Sequence, residues 1–186
     1  MESNKNKVGS VKLNLTEAFF FATLLCILRF CYFNNVSRPG AVCAPDVLVT
    51  FGIGQKQRHT YKVWEEGKVP DFVMEFSSKT TYQNDLTDKM TLYAQLGIPN
   101  YLLYDAEALY LPSPLMGFQL VKGVYVPIPP GVDGSIHSDI LGLDFHIRER
   151  RLEVYDSVRE QWLQTPAETA EAEVARLQAE LAHWLE

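Results

Sequence analysis

Residues 72–76 read Phe-Val-Met-Glu-Phe, a β-like run with a carboxylate inside it. Side chains alternate along a strand, so Phe72, Met74 and Phe76 share one face while Val73, Glu75 and Ser77 share the other. The first face is core. The second sets an acid and then a hydroxyl into an otherwise apolar strand, and a buried carboxylate is costly unless it is paired or holds a metal. Any fold of this chain must therefore supply Glu75 with a partner.

Asp46 poses a similar problem. It follows Pro45 at the head of a second β-like run, Val47-Leu48-Val49. If the two runs are neighbouring strands, the two carboxylates can share one hard cation. A helix is predicted over 85–96, because Leu86, Met90, Tyr93 and Leu96 recur at helical spacing and Gly97 stops it, with Pro99 just beyond. Asp85, Lys89 and Tyr93 stand four apart on that helix and lie on one side. Lys89 lies among Leu86, Met90 and Leu92, so its ammonium can point toward the sheet acids, and Tyr93 can donate to an oxygen or simply pack. Two acids on neighbouring strands with a nearby lysine are the parts of a metal-dependent phosphodiester hydrolase. The acids hold a cation such as Mg²⁺, and the lysine stabilises charge on the phosphate or holds the attacking water. Each residue alone has a plainer reading. An Asp after Pro is commonly a turn residue, a strand Glu an edge ion pair, and Asp85 with Lys89 a surface pair worth a few tenths of a kcal/mol, roughly. Their order and spacing together favour the joint reading.

At 186 residues, 47% apolar and 12% aromatic, the chain is long enough for one domain with a sizeable core. Cys26, Cys31 and Cys43 show no paired spacing and read as reduced thiols of a cytoplasmic protein. The four histidines are scattered, which disfavours a zinc site. A net charge of −6 argues mildly against nucleic acid, but residues 166–186 carry five glutamates against one arginine, leaving the body near −2. Local basic clusters can still meet phosphates.

Residues 15–33 predict a helix, with Asn14-Leu15-Thr16-Glu17 resembling a capping box. A membrane anchor is the alternative there, although a span needs about 20 apolar residues and Arg29 interrupts this run. Strands are predicted over 45–51, 72–76 and 101–104, a helical turn near 61–66, and hairpins over 118–128 around Lys122-Gly123 and over 143–156. The sum is an α/β arrangement with a mixed sheet. Thr165-Pro166-Ala167-Glu168 starts a last helix, whose Ala167, Ala170, Val174, Leu177, Leu181 and Trp184 follow three-four spacing. That seam suits either a short coiled coil or a helix folded back on its own body.

The ordered set Ala44-Pro45-Asp46-Val47-Leu48-Val49-Thr50-Phe51-Gly52, Tyr61-Lys62-Val63-Trp64-Glu65-Glu66, Val73-Met74-Glu75-Phe76-Ser77-Ser78, Lys89, Tyr93, Gly97-Ile98-Pro99-Asn100-Tyr101 and Leu103-Tyr104-Asp105 resembles the Uma2 family of restriction-endonuclease-like nucleases. The resemblance covers about Ala44 to Glu186. It implies the PD-(D/E)xK nuclease fold, a mixed central sheet flanked by helices, with metal-dependent cleavage of DNA using Mg²⁺ or Mn²⁺. It implies that Asp46 and Glu75 are the metal ligands and Lys89 the catalytic lysine; the strand and helix spacing adds Ser77, Asp85 and Tyr93 as supporting residues. The usual lysine two residues after the glutamate is replaced here by Ser77, and Lys89 on the following helix takes its part. Only about 44 residues precede the Pro-Asp run, fewer than the family usually carries. The expected organisation is an amino-terminal part over 1–40, a nuclease-like domain over 41–163 and a helix over 164–186. A homodimer suits both that helix and the need to cut two strands. The rival expectation is an inactive scaffold that works through its last helix.

Overall fold

The computed structural model describes residues 25–26, 31–35, 38–54 and 60–184, with side chains described from residue 43 onward except that of Pro166. The strands are β1 (Leu25–Cys26), β2 (Cys31–Asn35), β3 (Arg38–Cys43), β4 (Val47–Val49), β5 (Tyr61–Lys62), β6 (Phe72–Phe76), β7 (Asn100–Tyr104), β8 (Leu115–Val121), β9 (Val124–Pro127), β10 (Ile136–Ser138), β11 (Leu143–Arg148), β12 (Arg151–Asp156) and β13 (Gln161–Trp162). The helices are α1 (Val63–Glu66), α2 (Tyr82–Leu86), α3 (Asp88–Leu96) and α4 (Pro166–Trp184).

A central sheet runs in the order β1-β4-β6-β7-β8-β9. Its β6–β7 pair is parallel, and α2 and α3 make the crossover between those strands; the remaining pairs are antiparallel. The fold is thus mixed α/β, consistent with the nuclease-like class. A second, antiparallel sheet runs β10-β11-β12-β13, and a third runs β3-β2-β5. Two cores lie on opposite faces of the central sheet. Val47, Val49, Phe72, Met74, Leu102 and Tyr104 pack against Leu143, Phe145, Leu152 and Val154 of the second sheet. Leu48, Val73, Tyr101 and Leu103 pack against Tyr93 of α3 and Ile98. Strands covered on both faces are apolar at nearly every position, which is why β7 is buried along its whole length. Where β10 crosses β8, only glycine fits at position 117, because an added methyl would overlap Ile136 Cγ2.

Three sequence expectations are corrected. The helix over 15–33 is not formed where that segment is described, since 25–26 is strand and 31–35 is strand. Leu25 pairs with Val49, and Cys31 pairs with Cys43 and Tyr61. An apolar run suits either element, and available strand partners decide it; Tyr32 and Phe33 also favour a strand. The predicted cap at 14–17 lies outside the described residues. Among the described residues, no helix is long and apolar enough to cross a membrane. The helix over 85–96 is broken at Thr87 into α2 and α3. There the Thr87 hydroxyl donates to the Gln83 carbonyl at 2.7 Å, a back-bond that competes with the helix ladder. Finally, α4 does not lie on its own body: Ala170 to Trp184 are all exposed. Its start is built locally, with Thr165 N donating to Glu168 Oε2 at 2.7 Å and Glu168 N to Thr165 Oγ1 at 3.2 Å, the two halves of a capping box.

Candidate active site

Register brings the two sheet acids together. Val47 stands opposite Met74 and Leu48 opposite Val73 in the antiparallel β4–β6 pair. Continuing by one residue sets Asp46 opposite Glu75, and directly opposed residues share a face of the sheet. That face is the one covered by α3, because Leu48 and Val73 belong to its core. The link is also a direct bond: Phe76 N–H donates to Asp46 Oδ2 at 2.7 Å. Asp46 itself is exposed, whereas Glu75 is only 1% accessible.

The crossover supplies the partners that Glu75 requires. Tyr93 Oη donates to Glu75 Oε1 at 2.6 Å. Lys89 Nζ lies 3.0 Å from Glu75 Oε2 and 2.9 Å from Asp85 Oδ1. Ser77 Oγ donates to Asp85 Oδ2 at 3.0 Å, and Tyr101 Oη caps the Asp85 carbonyl at 2.9 Å. All six residues singled out in the sequence, Asp46, Glu75, Ser77, Asp85, Lys89 and Tyr93, therefore meet in one cluster. The surface-pair reading of Asp85 and Lys89 does not hold: the lysine side chain is 19% accessible and the aspartate side chain 1%. The break at Thr87 leaves Asp85 on a different helix from Lys89, yet their contact survives.

Burial pushes the Glu75 carboxyl up to about 7, against the pull of the Lys89 ammonium and the Tyr93 hydroxyl; the Asp46 charge adds a small further rise. Burial also works against the Lys89 charge, but Glu75 and Asp85 outweigh it and hold that ammonium above its ordinary value. The Tyr93 phenol is raised by burial and by Glu75, so it stays a donor. One member was missed from the sequence. Cys43, at the end of β3, packs against the core that contains Tyr93, and its thiol adds to the rise of that phenol. Nothing in its local pattern distinguishes it, because the contact is made by a strand of the third sheet.

The donor set fits a hard divalent cation. Asp46, Glu75 and Asp85 carry three negative charges against the single positive charge of Lys89, a deficit of two when all are ionised. A divalent ion would offset the burial cost that raises Glu75. Among the described residues no group of three or more His, Cys, Asp or Glu converges on a point. Mg²⁺ is commonly held by one or two carboxylates and waters, so the Asp46–Glu75 pair is enough for it.

No curated protein matches the chain. The profile of the Uma2 family, described as "Putative restriction endonuclease", matches residues 1–185. The match is wider than the resemblance beginning at Ala44 and takes in the short front segment. The chain belongs to the Uma2 family.

Proposed function

We infer that the protein is a metal-dependent DNA endonuclease whose site is the Asp46–Glu75–Lys89 cluster. The observation that carries this reading is the Asp46 carboxylate, bonded to the Phe76 N–H and opposed in register to a buried Glu75 that Lys89 and Tyr93 hold in place. Asp46 and Glu75 would hold Mg²⁺ or Mn²⁺, with the Phe76 carbonyl as a further oxygen donor. Bound there, such an ion supplies Lewis acidity toward a phosphate oxygen and lowers the pKa of a water. Tyr93 fixes the Glu75 carboxylate, and Asp85, itself held by Ser77, fixes the Lys89 ammonium. Lys89 supplies positive charge where negative charge develops on the scissile phosphate. The test is plasmid nicking in Mg²⁺ or Mn²⁺. Asp46→Ala, Glu75→Ala and Lys89→Ala should each abolish it while the fold persists, and wild-type rates in all three would end the assignment.

The same reading makes the protein a cytoplasmic homodimer paired through α4, with the parts 1–40, 41–163 and 164–186 as its organisation and the first part joined to the body by strand pairing. Support for pairing comes from α4, whose Val174, Leu177, Leu181 and Trp184 are exposed on the body that carries them. That exposure also favours a second reading, an inactive scaffold whose working surface is α4. Calorimetric titration with Mg²⁺ separates the two: heat of binding at one site supports the nuclease, and none at millimolar metal supports the scaffold.

A further inference from the structure

The β11–β12 hairpin is aimed by two contacts. Phe145 in β11 stacks on Phe72, with ring centroids 5.7 Å apart and planes 9° from parallel. Beyond the end of the same strand, the Arg150 carbonyl accepts from Tyr104 Oη at 3.4 Å. Phe72 opens β6, and Tyr104 stands opposite Phe76 at its close. The hairpin therefore runs along β6, on the face opposite α3, and brings its tip to the carboxyl-terminal edge of β6 and β7. That is the edge where Phe76 N–H holds Asp46.

The tip reads Arg148-Glu149-Arg150-Arg151. Its construction is unfavourable for a plain turn. Glu149 and Arg150 both have left-handed backbone, with φ of 49° and 63°. A two-residue hairpin loop of that kind prefers Asn-Gly, and non-glycine residues there carry strain. Arg148 and Arg151 are directly opposed in the ladder, so like charges face each other. No core packing compensates, since all four residues are exposed. Arg148 is braced, its guanidinium 4.6 Å from the centroid of the Trp162 ring and its Nη1 3.0 Å from Glu153 Oε2. Arg150 and Arg151 make no ion pair among the described residues, although Glu168 feels the charge of Arg151 at longer range.

We propose that this tip grips backbone phosphates of duplex DNA flanking the cleavage site, with Arg150 and Arg151 as the contacting residues and Arg148 as their brace. Charge complementarity selects the occupant. Guanidinium groups match phosphate oxygens in a two-point geometry, and three arginines against the single Glu149 leave the four-residue tip net positive on a chain of net charge −6. Glu153 already offsets the Arg148 charge, and a phosphate held by Arg150 and Arg151 would offset the charge that Arg151 presents opposite it. The proposal rests on the endonuclease reading and adds to it the residues that position the substrate.

The experiment measures binding of a labelled duplex by fluorescence anisotropy in Ca²⁺ across a salt series, for wild type and for Arg150→Ala/Arg151→Ala, beside plasmid nicking by both and by Glu75→Ala. Both arginines are exposed, and Arg151 faces the like charge of Arg148, so thermal melting should not fall. The double variant should bind roughly tenfold more weakly at 0.1 M salt, and its slope of log K against log salt should be shallower by about 1.8, the value for two lost phosphate contacts. Its nicking should show a raised KM with kcat kept. Equal affinity and equal slope would overturn the proposal, and the endonuclease reading would stand if Glu75→Ala still lost nicking. Displacement of the duplex by millimolar inorganic phosphate would overturn it in favour of a small-anion site. Absence of both duplex binding and nicking in wild type would overturn the proposal and the endonuclease reading together.

Discussion

Replacing Glu75 by Gln gives a pH-dependent stability change that can be worked from the site. The carboxyl is pushed from 4.5 to about 7 chiefly by burial. In the unfolded chain the same group ionises near its ordinary value. Between those two pH values the folded state binds more protons at this position than the unfolded state does, so stability falls as pH rises. At about 1.36 kcal/mol per pH unit, the shift corresponds to roughly 3 kcal/mol, complete once the pH passes the folded value. Glutamine cannot ionise and lacks this slope. Urea unfolding in EDTA, for wild type and Glu75→Gln at pH 5, 6, 7 and 8, isolates the difference between the two proteins. Across this series wild type should lose about 2 kcal/mol relative to the variant between pH 5 and pH 7, then run nearly level with it. Millimolar Mg²⁺ should flatten the wild-type slope, because the ion favours the ionised carboxylate. A difference that does not change with pH would refute the burial argument for Glu75.

Three further outcomes follow from the same geometry. Lys89→Met leaves Glu75 and the fully buried Asp85 without their shared cation; it should cost about 3 kcal/mol at pH 8 and less at pH 5, read by the same urea series. Gly117→Ala forces a methyl into Ile136, and it should cost about 1–3 kcal/mol through overpacking where β10 crosses β8, read by thermal melting. Leu177→Glu puts a charge into the exposed seam of α4; light scattering should report a monomer with an unchanged melting curve, and a dimer as stable as wild type would exclude pairing through that face.

The fold class and the grouping of the candidate residues were both legible, for a physical reason. Period-two alternation placed Glu75 on the face away from Phe72 and Met74, and four-residue spacing placed Lys89 and Tyr93 on one side of a helix. Those local rules survive folding, and Glu75 does meet both residues. Asp85 reached the cluster by a route the spacing did not describe, since the helix breaks at Thr87 and Ser77 and Tyr101 hold the aspartate from the sheet side. Segments whose state is set by distant partners were less readable. Residues 25–26 and 31–33 belong to an apolar run that periodicity alone left helical, and pairing with β4, β3 and β5 makes them strands. β10 and β13 are too short to alternate visibly, at three and two residues. Cys43 is invisible in sequence for the same reason: its neighbour Tyr93 lies fifty residues along the chain and on another element.

The central claim is that Asp46 and Glu75 together hold one divalent ion. Mn²⁺ binding followed by electron paramagnetic resonance, on wild type, Asp46→Asn and Glu75→Gln at pH 8, tests it most directly. One ion bound per chain in wild type, and loss of that ion in both variants, is the predicted result. Undiminished Mn²⁺ binding by either variant would contradict a shared site.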